Sequence, residues 1–114
     1  MASFNTNAFL SYQIDFQTGI KAMIDIYENL IPDSVEHELY RIKKLRQLNE
    51  IREKNKHLTK ISSKDMLKMI GSMDQLPSAE TLEKAQQIGE SMFASLLLCY
   101  AAPSFLVTFV QRRK

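Results

Sequence analysis

Tryptophan is absent, cysteine occurs once, and glycine and proline occur three times each. Each shortage excludes something. A lone Cys99 can form neither an intrachain disulfide nor a cysteine-based metal cluster, and it fits a reducing compartment. So few glycines and prolines disfavour a many-stranded fold with many tight turns. His37 and His57 are too few for a histidine metal site, and the N-terminus lacks the charged-then-apolar layout of a signal peptide. There is no Gly-rich phosphate loop, no HExxH-type ligand pair and no GxSxG elbow. His37 lies between Glu36 and Glu38, but such a residue at a helix start reads as surface rather than as a general base. The expectation is therefore a protein that is not an enzyme and needs no cofactor or metal.

What is present is a single domain's worth of chain, 114 residues with 45% apolar side chains, patterned for helices. The first ten residues, polar and Asn-rich, read as a flexible lead. Helix one is expected from about Ser11 to Leu30, with Ile14, Ile20, Met23, Ile24, Tyr27 and Leu30 at helical spacing. Pro32 ends it, because the residue before a proline is pushed out of the α region. Helix two starts at Asp33 or Ser34, either of which can cap it, with Glu36 and Glu38 at its positive end, and runs to about Lys56. Its apolar residues Leu39, Ile42, Leu45, Leu48 and Ile51 recur every three positions, so the stripe drifts around a cylinder of 3.6 residues per turn. In the first half this leaves Arg41 and Lys44 roughly opposite the stripe, with Lys43 and Gln47 beside them and Arg46 nearer the apolar side.

Beyond helix two, Ser62-Ser63-Lys64-Asp65 resembles a capping box and suggests a short extra helix through Ile70, ended by Gly71. Helix three begins with Ser78 as N-cap, and Leu82, Ala85, Ile88, Met92 and Leu96 form its apolar face. Phe105 to Val110, rich in Val, Thr and Phe, looks strand-like. From Ser91 to Val110 no charged residue occurs. That run is long enough for a tail anchor, but Pro103 interrupts it and its first part continues an amphipathic helix, so the expectation is core and no membrane.

Charge is unevenly placed. Residues 41–60 hold eight cations (Arg41, Lys43, Lys44, Arg46, Arg52, Lys54, Lys56 and Lys60) against Glu50 and Glu53, a surplus of six. The whole chain is only +2, so the rest carries −4. A basic stretch on a slightly acidic body suits a polyanion, because phosphates dominate nucleic-acid affinity. A solvated helix face is the plain alternative.

Three short runs resemble a known family. Ile14-Asp15-Phe16-Gln17-Thr18-Gly19-Ile20 is similar to an Ile-Asn-Phe-Glu-x-Gly-Ile run, and Ser11-Tyr12-Gln13-Ile14-Asp15 to a Ser-Phe-Gln-Val-Asp run. Leu39-Tyr40-Arg41-Ile42-Lys43-Lys44 matches a Leu-x-Arg-Leu-basic-basic pattern. Ala85-Gln86-Gln87-Ile88-Gly89, followed by Met92 and Leu96-Leu97, resembles a third helical run. All belong, in this order, to the N-terminal RNA-binding domain of the influenza virus non-structural protein 1, nearest its influenza B form. The resemblance spans about residues 11–102.

The resemblance implies an all-α fold with three main helices per protomer, paired into a six-helix homodimer. It implies a viral protein that sequesters double-stranded RNA without sequence preference and so antagonises host interferon and antiviral responses. Host antiviral proteins are implied as further partners, and the host nucleus and cytoplasm as its location. Carried across, Arg41 and Lys44 fall on the family's central RNA-contacting arginines, Lys43 on a basic position, and Gln47 where one family form has a contacting lysine. Arg52, from the basic window, is expected to add to RNA binding but to matter less, farther from the presumed axis. Lys44 stands for an arginine and cannot make its planar bidentate fork. Residues 58–76 exceed the family's connection, and residues 103–114 read as an extension or the start of a linker. The family's second, effector domain has no counterpart in these 114 residues. The alternative from another class is a helical protein–protein module, or a helical protein anchored to a membrane by its C-terminal stretch.

Overall fold

A computed structural model describes residues 4–71, 76–101 and 103–112, with the side chains of 103–105 left aside. It is mostly helical. Along the chain come α1 (Thr6–Ser11), β1 (Gln13–Asp15), α2 (Phe16–Glu28), α3 (Val35–Lys54), β2 (Lys60–Ser62), α4 (Ser63–Gly71), α5 (Ala79–Ile88), α6 (Met92–Leu98) and α7 (Pro103–Arg112). Seven helices among the described residues replace the three or four expected.

The extra elements have local causes. The expected flexible lead contains α1, capped by the Asn5 side chain, which accepts from the Ala8 amide at 3.0 Å. Phe9 holds that helix down by burying its ring. Helix one starts later than its apolar spacing suggests, because residues 13–15 are extended and pair antiparallel with residues 60–62, Ile14 opposite Ile61. Asp15 then caps α2, accepting from the Thr18 amide at 2.9 Å and its hydroxyl at 2.8 Å. Those two donors hold the Asp15 carboxyl below the usual carboxylate range. β2 leads straight into α4, whose start is capped by the Ser62 hydroxyl accepting from the Asp65 amide at 3.1 Å. The two-stranded ribbon thus fixes where both α2 and α4 begin.

Helix three begins at its expected cap, with the Ser78 hydroxyl accepting from the Thr81 amide at 3.2 Å. It does not run through to Leu96. Gly89 is extended (φ −69°, ψ 133°) and ends α5, and Ser91 caps a separate α6. A Cβ at Gly89 would lie 2.5 Å from the Ser95 hydroxyl and 2.6 Å from its backbone nitrogen, so α6 folds back against a backbone that only glycine leaves open. The strand-like stretch 105–110 is helical as well, within α7. Leu106, Phe109 and Val110 fall at helical spacing and are all buried, so tertiary packing overrides the β preference of their residue types.

α2 lies at the centre. Phe16, Ile20, Met23 and Tyr27 have no exposed surface. Met66, Leu67 and Ile70 of α4, Leu82 and Ala85 of α5, Leu96 to Leu98 of α6 and the buried trio of α7 complete one core. α3 lies against α2 but gives that core a single fully buried side chain, Leu48.

Candidate nucleic-acid interface

α3 is 20 residues long, a rod of about 30 Å. Ser34 caps it by accepting from the His37 amide at 3.1 Å, and Glu36 and Glu38 occupy its first turn. Its apolar stripe drifts as the three-residue spacing requires, by about 60° per step. Leu39 is 62% exposed, Ile42 41%, Leu45 half-buried, Leu48 1% and Ile51 half-buried again. The stripe starts in solvent and ends in the core. With Ile31 and Val35 it leaves an uncovered apolar patch at the start of the helix.

Because Leu39 and Ile42 point outward, Arg41 and Lys44 point toward the body. Arg41 lies beside the end of α2. Its Nε donates to the Tyr27 carbonyl at 2.8 Å and Nη2 reaches the Glu28 carbonyl at 3.5 Å. Its Nη1 pairs with Glu38 at 3.2 Å. The guanidinium is a C-terminal cap for α2, satisfying carbonyls at the negative end of that helix.

Lys43, Lys44, Arg46 and Gln47 come together. With Glu50 and Gly71 they line a groove of about 440 Å³ between α3 and the end of α4. Gln47 is anchored across it, its Nε2 donating to the Ile70 carbonyl at 3.1 Å, and its Oε1 accepts from Lys44 Nζ, also at 3.1 Å. Lys44 Nζ also lies 5.8 Å from the centre of the Tyr40 ring. Burial, and secondarily the neighbouring Lys43, push the Lys44 amine below the ordinary lysine value. Lys43 and Arg46 are exposed. On the groove's other wall a Cβ at Gly71 would lie 2.6 Å from the Tyr100 ring, so an aromatic supports the backbone there.

Of the residues singled out from sequence, the fold gathers Lys43, Lys44 and Gln47. Arg41 is committed to α2, and Arg52 is half-buried, donating to the Asn49 side chain at 2.6 Å. Arg46 is the residue that the reading passed over. It follows Leu39 by seven positions, two helical turns, and therefore shares its outward face. The sequence places it nearer the apolar side, and because that side is exposed at Leu39 and Ile42, Arg46 is exposed with it. Among the described residues no group of His, Cys, Asp or Glu is placed to hold a metal ion. No family model, curated protein or solved structure matches the chain.

Proposed function

We propose that the chain binds double-stranded RNA without sequence preference, through the basic flank of α3, as a homodimer paired along that helix. The observation that carries this reading is the gathering of Lys43, Lys44, Arg46 and Gln47 around one open groove. Three cations against Glu50 make a surface for phosphates, and an amide can hydrogen-bond sugar or phosphate oxygens. A-form RNA offers shape, phosphates and 2′-hydroxyls to such a surface rather than base edges. The contact set differs from the one the resemblance implies. Arg46 takes the role given to Arg41, and Arg41 contributes by holding α2 against α3.

The pairing rests on Ile31, Val35, Leu39 and Ile42, large apolar side chains left in solvent by the single chain. A second α3 laid antiparallel over the first half of this one covers them, leaves Arg46 one turn beyond Ile42 outside the seam, and doubles the basic flank. On this reading the protein acts by occupancy, hiding duplex RNA from host antiviral sensors in the nucleus and cytoplasm, as the family resemblance implies. The same apolar patch favours a second reading, a protein–protein module in which α3 meets a different partner. The membrane alternative has less to stand on, since the uncharged run is divided between α6 and α7 and no helix of the described residues is long and apolar enough to cross a membrane.

The test is a binding titration with duplex RNA, duplex DNA and single-stranded RNA side by side. Duplex RNA should bind most tightly. The Lys43→Ala/Arg46→Ala double variant should weaken it strongly, and each lost phosphate contact should flatten the plot of log affinity against log salt by about one unit. A double variant that binds duplex RNA like the parent would sink the groove reading, and a parent that binds no nucleic acid would favour the protein–protein module.

A further inference from the structure

Lys44 is half-buried, whereas the other described lysines are exposed. Lys21, Lys56 and Lys84 each pair with a carboxylate on their own helix, at 3.1, 3.1 and 3.4 Å, and such partners favour the ammonium form. No carboxylate lies within ion-pair distance of Lys44 Nζ among the described residues; its hydrogen-bond partner is the Gln47 carboxamide, itself fixed by Ile70. Its chain neighbour Lys43 is a like charge, and most of its own surface is covered. Its amine borders an open groove of about 440 Å³.

We propose that Lys44 is the acyl-accepting lysine of this protein, a fixed amine at the edge of the α3–α4 groove that reacts with small acyl thioesters ahead of the other lysines. The proposal does not depend on RNA binding.

The chemistry follows from the arrangement. A lysine is nucleophilic only as the free amine, and desolvation beside another cation is a general way to make that form available. Burial and Lys43 act in that direction here. The Tyr40 ring favours the cation, but at 5.8 Å from its centroid Nζ is at the outer limit of such contacts. Gln47 Oε1 accepts one N–H, which fixes the nitrogen. As a neutral acceptor it favours the ammonium less than the carboxylates beside Lys21, Lys56 and Lys84 do. In the reaction the amine adds to the thioester carbonyl, a C–N bond forms and the C–S bond breaks. The thiolate departs, and the surplus proton of the nitrogen passes to water. No oxidant or further reactant is needed. The product is a neutral amide lying in the groove, so one of its three cations is lost.

The experiment treats the folded chain with a limiting dose of the acetyl thioester of N-acetylcysteamine at several pH values, then reads the acetylation of each lysine by mass spectrometry. Lys44 should lead Lys54 and Lys84 by roughly threefold or more, and the lead should widen toward neutral pH, where a lowered amine pKa matters most. In the urea-unfolded chain the lead should vanish. Gln47→Glu, which sets a carboxylate at Nζ, should slow Lys44 while leaving Lys54 unchanged. A folded chain in which Lys44 reacts no faster than Lys54, a lead that survives unfolding, or a Gln47→Glu variant with unchanged Lys44 rate would each overturn the proposal.

Discussion

Arg41 sits where α2 ends. Its side chain is 21% exposed. The Tyr27 carbonyl, an end-of-helix group, accepts a long 3.4 Å bond from the Leu30 amide, and Arg41 adds its own shortest bond there, from Nε at 2.8 Å. Charge assistance and the favourable end of the helix dipole add to that bond. Replacing Arg41 with Ala should therefore lower stability by about 1–2 kcal/mol, read by urea denaturation. Lys43→Ala and Arg46→Ala should each stay within about 0.5 kcal/mol of the parent, since both side chains are exposed. A loss of RNA binding in an Arg41 variant thus has to be judged against its folded fraction. If Arg41→Ala proves as stable as the parent, the capping role is wrong and the guanidinium is free for a ligand.

At the scale of elements, the helices are shaped as much by their junctions as by their apolar faces. Asp15 and the β1–β2 pairing set the start of α2, although Ile14 continues its apolar spacing backward. Gly89 divides what hydrophobic periodicity alone joins. The tight approach of Ser95 means that Gly89→Ala should cost about 1–3 kcal/mol through overpacking rather than backbone strain, because φ at −69° suits any residue. Thermal unfolding reads this directly; a variant as stable as the parent would mean that α6 can shift away from the added methyl at little cost.

For the whole molecule, one core collects side chains from all seven described helices, with α3 laid against its flank and contributing only Leu48 as a fully buried side chain. α7 is tied to the start of α3 as well, with Phe109 set edge-on to His37 at 6.2 Å and Arg112 reaching Asp33 at 4.0 Å. The core is closed on that side, yet Val35, at 79% exposed, and Leu39 remain outside it. The proposed dimer paired along α3 would cover this surface. Light scattering at tens of micromolar should give about twice the chain mass, and Leu39→Asp should give the single-chain mass with unchanged helical content. A parent of single-chain mass would remove the homodimer and leave the patch to another partner.

Helical class, the span of α3, the cap Ser78 and the short helix after Ser62 were legible in the residues, as was the cap of α3 down to a choice between Asp33 and Ser34. Each depends on local chemistry: a side-chain oxygen three residues before an open amide, or apolar residues at a period near 3.6. The drift of the α3 stripe was legible too, since it follows from spacing alone. Which end of the drifting stripe is buried was not, because that depends on where α2 and α4 lie. From that one fact follow the exposure of Leu39 and Ile42, the inward turn of Arg41 and the outward position of Arg46. The β1–β2 pairing lies equally beyond local reading, joining residues more than forty positions apart. α7 is helical because its apolar residues meet a core assembled from distant segments. Local chemistry determined where helices form; only the tertiary structure decided which of their faces are left for a ligand.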